Sequence, residues 1–305
     1  MQALLDAGLH RRRQGYRGRF APSPTGAMHR GNLRTALLGW LDARLSGGEW
    51  LLRLDDLDTP RNRPEAEASI VADLGWLGLD WDGQVMRQSE RRGLYGTVLS
   101  ALRGAGLLYP CRCSRRLLAD ISAPHAATPI YPGTCRGLAG GWGAKQGRLP
   151  SWRLRLEPGM LRWLEGDGPS AVGDVVLRRA DGYIAYHLAT AVDELSLGIS
   201  DVVRGDDLRS ATGAQVAVMA ALGAPPPRYR HVPLWCDGQG RRLSKREGSE
   251  GLAAYRQRGL DAGSVVGDLA ASAGLVAPGS RLSAAELRAD LARRAPQAWS
   301  SSGGI

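Results

Sequence analysis

The sequence predicts an α/β chain built on an open, doubly wound parallel sheet. Three observations lead there. Arg19-Phe20-Ala21 ends a short strand, Pro22, Pro24 and Gly26 bend the chain, and His29 and Gly31 lead into a helical pattern with Leu33, Leu37, Trp40 and Leu41 on one face. Glu49-Trp50-Leu51-Leu52-Arg53-Leu54 reads as a second strand, with Asp55-Asp56 at its carboxyl end. Two helical patterns follow. One is opened by Pro64, with Ile70, Leu74 and Leu77 on one face and Gly78 near its end. The other is capped by Ser89 and carries Leu94, Tyr95, Val98, Leu99 and Leu102. Helices of this kind read as crossovers between parallel strands, and ligands collect at the carboxyl ends of such strands.

The strand, bend and helix start between Arg19 and Asn32 form a natural cradle for an anion. The first amides of a helix have no partners inside it, and its dipole favours negative charge. Gly31 lets a ligand approach the backbone closely. By itself, His29 reads as a capping or packing residue. The carboxylates at Asp55-Asp56 can receive an ammonium or a cation, or can serve as a turn before Asp58-Thr59-Pro60.

At 305 residues, the chain has room for one large or two modest domains. Its net charge of +10 fits a polyanionic partner such as a nucleic acid. Of its 40 basic residues only two are lysine, Lys145 and Lys245, and its one phenylalanine is Phe20. A lysine kept among so many arginines suggests a place that needs a compact ammonium rather than a planar fork. Residues 1–17 lack the order of a secretory signal, since Arg11-Arg12-Arg13 follows the apolar start. No run approaches the length of a membrane span. The expectation is a cytoplasmic protein, off the membrane, whose residues 1–17 form a ragged extension.

Cys111-Arg-Cys113 and Cys135 read as zinc ligands rather than a disulfide, with Cys236 as a small buried hydrophobe. A structural zinc site wants four ligands, and ligand chemistry alone nominates His125 as the fourth. Residues 137–150 are a glycine-rich loop. Trp152 to Leu156 alternates as a strand. Val175 to Arg179, the turn Asp181-Gly182 and Tyr183 to Tyr186 form a hairpin, and a helix follows through Leu188, Ala191 and Val192. Strand residues 199–208 contain Arg204. Leu260, Val265, Val266, Leu269 and Leu275 mark a small helical piece, and Leu282, Leu287 and Leu291 a second.

Two stretches carry a resemblance. RFAPSPTG followed by MHRGN resembles the entry of class I glutamyl-tRNA synthetases, whose "HIGH" signature would be His29-Arg30-Gly31-Asn32. Arg242-Leu243-Ser244-Lys245-Arg246 resembles the partner "KMSKS" loop. Either alone is a moderate signal; both, in this order and at this separation, are strong. The resemblance covers about residues 18–290. It implies a Rossmann-type catalytic fold and an enzyme that activates L-glutamate with ATP and Mg²⁺. His29, Gly31, Asn32, Ser244 and Lys245 would bind ATP, with His29 and Lys245 catalytic. Arg19, Phe20, Ala21, Pro22, Ser23, Asp55, Tyr186 and Arg204 would bind glutamate. Two arginines and a phenol suit a substrate with two carboxylates. The chain departs from the pattern at Asp55, where Glu is usual, at Arg30, where an apolar residue is usual, and at Arg242 and Arg246.

Short members of the same family, which modify queuosine in tRNA(Asp), have C-x-C followed by Y-x-x-x-C. Tyr131-Pro-Gly-Thr-Cys135 fits, so the resemblance implies one zinc ion on Cys111, Cys113, Tyr131 and Cys135 and prefers Tyr131 to His125. It implies five segments: the extension 1–17; the first half of the catalytic domain, 18–108; an inserted zinc-containing α+β subdomain, 109–174; the second half with the KMSKS-like loop, 175–249; and a short helical remnant, 250–305, with no anticodon-binding domain. The expected acceptor is queuosine-bearing tRNA(Asp), served by a monomer. The alternatives are a truncated glutamyl-tRNA synthetase charging a tRNA 3' end and a non-catalytic tRNA-binding relative.

Overall fold

The computed structural model describes residues 1–114, 130–138, 141–157, 172–235 and 251–294. It divides into two compact units. One comprises residues 12–88, 199–207 and 228–305, the other 1–11, 89–198 and 208–227.

The first unit is built on parallel strands. β1 (Arg17–Phe20) pairs with β2 (Glu49–Leu54), which pairs with the short β3 (Met86–Arg87). β7 (Asp201–Gly205) pairs in parallel with β8 (Arg228–Val232). The Ser200 N–H donates to the Arg17 carbonyl at 2.9 Å, which sets β7 beside β1. The crossover helices are α2 (Arg30–Leu45) and α3 (Pro64–Trp76). The strands are short and nearly every residue of β1 and β2 is buried, as expected of a sheet covered on both faces.

α2 supplies the largest apolar face of this unit. Leu33, Leu37, Trp40 and Leu41 enter one core with Phe20, Trp50, Leu52, Leu54, Ile70 and Leu74. Phe20 stacks on Trp50, with centroids 6.0 Å apart. The same core continues into α7 (Leu252–Gln257), α8 (Ala262–Ser272) and α9 (Ala284–Arg294) through Leu252, Tyr255, Val266, Leu269 and Leu287. Asp261 caps α8, its carboxylate accepting from the Ser264 N–H at 2.7 Å. The helical piece expected after residue 250 is therefore part of this unit's core, although Leu260 itself is exposed.

The second unit combines helices with an antiparallel sheet. β4 (Leu108–Cys111) pairs with β5 (Ser151–Leu154), and β5 with β6 (Val175–Arg178). The antiparallel sheet thus continues past residue 174, the expected end of the insertion. α4 (Arg92–Gly104) and α5 (Tyr186–Ser196) pack against this sheet, and α6 (Arg209–Ala221) packs on α5. Asp193 of α5 is fully buried, accepts from Tyr95 Oη at 2.9 Å and pairs with Arg91 Nε at 2.7 Å. A buried carboxylate is tolerated on such terms, and here it ties α5 to α4.

Three expectations need correction. Residues 1–17 are not ragged: α1 (Gln2–Gln14) is a helix whose Leu5 and Gly8 are buried. Gly8 lies so close to α5 that a Cβ there would sit 1.9 Å from the Leu195 carbonyl oxygen. Arg11 Nη2 also donates to the Ser196 carbonyl at 2.6 Å. Ser89 does not cap α4; it lies in a 3-10 turn (Gln88–Arg91) that precedes the helix. The hairpin expected at 175–186 is shorter than its sequence pattern. Ile184 makes only an isolated bridge to Arg178, and Tyr186 already begins α5.

The Gly8 contact makes a prediction. Gly8→Ala forces a methyl against the Leu195 carbonyl, so α1 must shift outward. We expect a loss of about 2 kcal/mol and a fall in Tm of about 5 °C, read by thermal unfolding. An unchanged Tm would mean that α1 is not docked in solution.

Candidate active site

The turn from β1 into α2 is organised by His29. The residue takes an extended backbone at the N-cap, and Nδ1 accepts from the Asn32 N–H at 3.3 Å. Asn32 Oδ1 in return accepts from the His29 N–H at 3.4 Å. This reciprocal pair is a capping box with unusual residues. The capping and functional readings of His29 therefore coexist. Because Nδ1 accepts, the proton of the neutral ring belongs on Nε2. Gly31 has a reason beyond close approach of a ligand: a Cβ there would lie 3.0 Å from His29 Cε1 and 3.1 Å from Nδ1.

The two arginines expected at the substrate are both buried and lie toward the carboxyl ends of the neighbouring strands β1 and β7. Arg19 Nη1 donates to the Val203 carbonyl at 3.4 Å. Arg204 lies over the ring of Tyr229, 4.7 Å from its centroid, and its Nε donates to His231 Nε2 at 3.3 Å. Tyr229 and His231 are two apart on β8, so they present one face, with rings 7° from parallel. Together they make a shelf that fixes the Arg204 fork. Sequence reasoning missed this shelf, although the alternation Tyr229-Arg230-His231 could have revealed it.

The remaining expected residues of this unit fall into different environments. Ala21 and Pro22 are half-buried and Ser23 is exposed along the bend, and the Pro22 carbonyl accepts from the Asp55 N–H at 3.0 Å. Phe20 points into the apolar core against Trp50. Asp55 is buried and forked by Arg53, with Nε–Oδ1 at 2.7 Å and Nη2–Oδ2 at 3.3 Å. The strand period of two sets these neighbours on one face. Tyr186 belongs to the other unit, at the first position of α5, and is 37 % exposed. Ser244 and Lys245, with Arg242 and Arg246, lie outside the described residues, as do Cys236 and His125.

The cysteine cluster of the second unit is assembled. The Sγ atoms of Cys111, Cys113 and Cys135 all lie within 4.8 Å of one another. Cys113 and Cys135 are 3.6 Å apart. Tyr131 Oη lies 3.5 Å from Cys111 Sγ and 3.8 Å from Cys113 Sγ, and accepts from the Cys135 N–H at 2.8 Å. Thiolates bind zinc at about 2.3 Å, which demands tetrahedral edges of about 3.8 Å. The Cys113–Cys135 pair and the phenol's separations from Cys111 and Cys113 are close to that edge, and all three sulfurs lie within 4.8 Å of one another, so the donor set fits such an ion. Burial pushes the Cys113 thiol up to about 11 and holds the Tyr131 phenol above its usual range. Burial raises Cys135 too, but hydrogen bonds from the Arg112 N–H, the Tyr131 hydroxyl and the two neighbouring thiols together bring it below the usual thiol value. A divalent cation would favour the deprotonated form of every member.

Comparison with known proteins fixes the family. The catalytic domain of the tRNA synthetases class I (E and Q) matches residues 16–130 and 167–265. The chain belongs to the class I (E and Q) tRNA synthetases. Among relatives of this class I synthetase is a Glutamyl-Q tRNA(Asp) synthetase of Prochlorococcus marinus (strain MIT 9303). It is 59% identical over 290 residues, which is 95% of this chain and 92% of that protein. The protein of the same name from Symbiobacterium thermophilum is 45% identical, over 85% of this chain and 87% of its own length. A crystal structure of a glutamate tRNA ligase from Elizabethkingia meningosepticum, in complex with its amino acid, superposes with a TM-score of 0.69 at 25% identity. It covers 90% of this class I synthetase, which spans only 64% of that ligase. The expected class I catalytic fold is thus borne out. Among the described residues of this synthetase no helix is long and apolar enough to cross a membrane.

Proposed function

We propose that the chain activates L-glutamate with ATP and transfers the glutamyl group to queuosine in the anticodon of tRNA(Asp). One observation carries this reading: relatives matching 95% of the chain at 58–59% identity are named Glutamyl-Q tRNA(Asp) synthetase. In the first step a glutamate α-carboxylate oxygen attacks the α-phosphorus of ATP, and pyrophosphate leaves. In the second a hydroxyl of the queuosine cyclopentene-diol attacks the acyl carbon, and AMP leaves. Neither step needs a protein nucleophile; positioning and charge stabilisation suffice.

The roles follow from the donors. Arg19 and Arg204 would pair the glutamate carboxylates, with Tyr186 as a further donor. Ala21, Pro22 and Ser23 would line the path beside them. Asp55 would act through Arg53 and the Pro22 carbonyl, which it already engages. Phe20 would support from the core. His29 Nε2–H, with Gly31 and Asn32 at the helix start, would face the phosphates, joined by Ser244 and Lys245. Mg²⁺ would arrive with the nucleotide and neutralise the leaving pyrophosphate. Cys111, Cys113, Tyr131 and Cys135 would hold one structural zinc ion. The antiparallel sheet around them, running to residue 178, would be the inserted subdomain. This chemistry draws on cytoplasmic substrates and needs only one chain.

The test is to incubate the protein with labelled glutamate, ATP and queuosine-bearing tRNA(Asp), and to map the label by nuclease digestion. Label on the anticodon fragment is expected. Label on the 3' end would favour an ordinary synthetase. No ATP–pyrophosphate exchange with glutamate, with or without tRNA, would favour a binding protein.

Gly31→Ala tests the site more narrowly. Alanine should stabilise the helix by about 0.5–1 kcal/mol. Its methyl, however, must push the His29 ring. We expect pyrophosphate exchange to fall about tenfold while Tm holds or rises. Full activity in this variant would remove His29 from the proposed machinery.

A further inference from the structure

Arg30 stands where the family resemblance leads one to expect an apolar residue. Its surroundings give it a task. Its Nε donates to the Tyr255 hydroxyl, and its guanidinium lies 4.9 Å from the Tyr255 ring centroid. It also lies 5.6 Å from the Trp235 ring centroid. Arg34, one turn further along α2, sits 5.4 Å over the same indole, and its Nη2 donates to the Pro233 carbonyl. Tyr255 is buried in the core beside Leu252, and Trp235 packs on that core. Residues 235 and 255 flank the segment 236–250, which carries Ser244 and Lys245.

We propose that Arg30 is a positioning residue that pins both ends of this segment to the first turn of α2. The inference rests on the functional reading above, in which His29 and Lys245 serve one nucleotide. A planar guanidinium can donate in its plane while it stacks on its faces. It can therefore engage the Tyr255 hydroxyl and two rings at once. Leucine can fill the volume but cannot donate, and lysine offers a point charge without the fork. Arg34 doubles the grip on Trp235, at the i+4 spacing that puts two side chains on one face. The neighbour of His29 would thus set where the segment bearing the second signature begins and ends. An apolar residue at this place would leave that to packing alone.

The experiment compares wild type with Arg30→Leu, Arg30→Lys, Trp235→Leu and the Arg30→Leu/Trp235→Leu double variant. Glutamate-dependent ATP–pyrophosphate exchange is measured alongside hydrogen exchange of peptides spanning 229–235 and 251–257. For Arg30→Leu we expect kcat to fall about tenfold, KM for glutamate to stay within about twofold, and both flanks to exchange faster. Arg30→Lys should recover part of the loss, and the double variant should be no worse than the poorer single one. If Arg30→Leu does not fold, Trp235→Leu carries the same expectation. Unchanged kcat in a folded Arg30→Leu enzyme, or acceleration at neither flank, would overturn the proposal. Should wild type itself show no pyrophosphate exchange, the functional reading fails; hydrogen exchange then still decides whether Arg30 holds the two flanks.

Discussion

Replacing Arg204 with alanine is expected to lower kcat/KM for glutamate in pyrophosphate exchange by about a thousandfold. Removing one partner of a buried, hydrogen-bonded charge pair costs about 2–5 kcal/mol, and about 4 kcal/mol corresponds to that factor. Arg204 is 3% exposed, so water cannot replace it as a partner for a substrate carboxylate. Arg204→Lys should recover little, because an ammonium reproduces neither the contact with the Tyr229 ring nor the Nε–H bond to His231. His231→Ala should lose about tenfold, since it removes the partner of the Arg204 Nε–H. These losses should appear in KM for glutamate, with KM for ATP nearly constant. Circular dichroism should show a folded protein throughout. A fall of less than about threefold in Arg204→Ala would place the glutamate carboxylates elsewhere.

Removal of metal should destabilise the chain nearly as strongly as Arg204→Ala impairs it. Purified protein should contain one zinc per chain, and prolonged chelation should lower Tm by about 10 °C or more. The reason lies in the cluster. Three sulfurs and a phenol are gathered from the end of β4, the segment just after it and residues 131–135, so the ion would tie a strand to a separate loop. Cys135→Ala should leave the protein zinc-free. Tyr131→Phe keeps three thiolates and should bind zinc at least about tenfold more weakly. His125→Ala should match wild type. Zinc content untouched by both Tyr131→Phe and His125→Ala would eliminate both as the fourth ligand, and its absence from wild type would remove the site.

The central elements could be read from the sequence because their periodicity was strong. β2 runs over residues 49–54, as its apolar run implies, and α2 follows His29 at once. The cysteine spacing was equally plain. What escaped was set by contacts between distant residues. α1 has only Leu5 and Gly8 buried, and its docking depends on a glycine meeting the carbonyl of Leu195. Nothing local announces that. Tyr183 to Tyr186 alternates like a strand, yet Ala185 is already an N-cap, because the second arm of the hairpin is bonded only near Ile184. Two details of the site follow from strand alternation alone. Strand alternation already opposes Phe20 to Arg19 and sends it to the core. It equally puts Arg53 and Asp55 on one face, where they fork each other.

The double duty of His29 has a practical bearing on mutagenesis. The imidazole that would touch the nucleotide also closes the first turn of the helix that anchors the apolar core. An alanine scan at this residue would therefore confound chemistry with scaffold, since a lost cap alone can cost about 1 kcal/mol. Asparagine is the informative replacement, because it caps helices well and offers no imidazole. Comparing His29→Asn with His29→Ala would separate what the ring does for turnover from what it does for the fold.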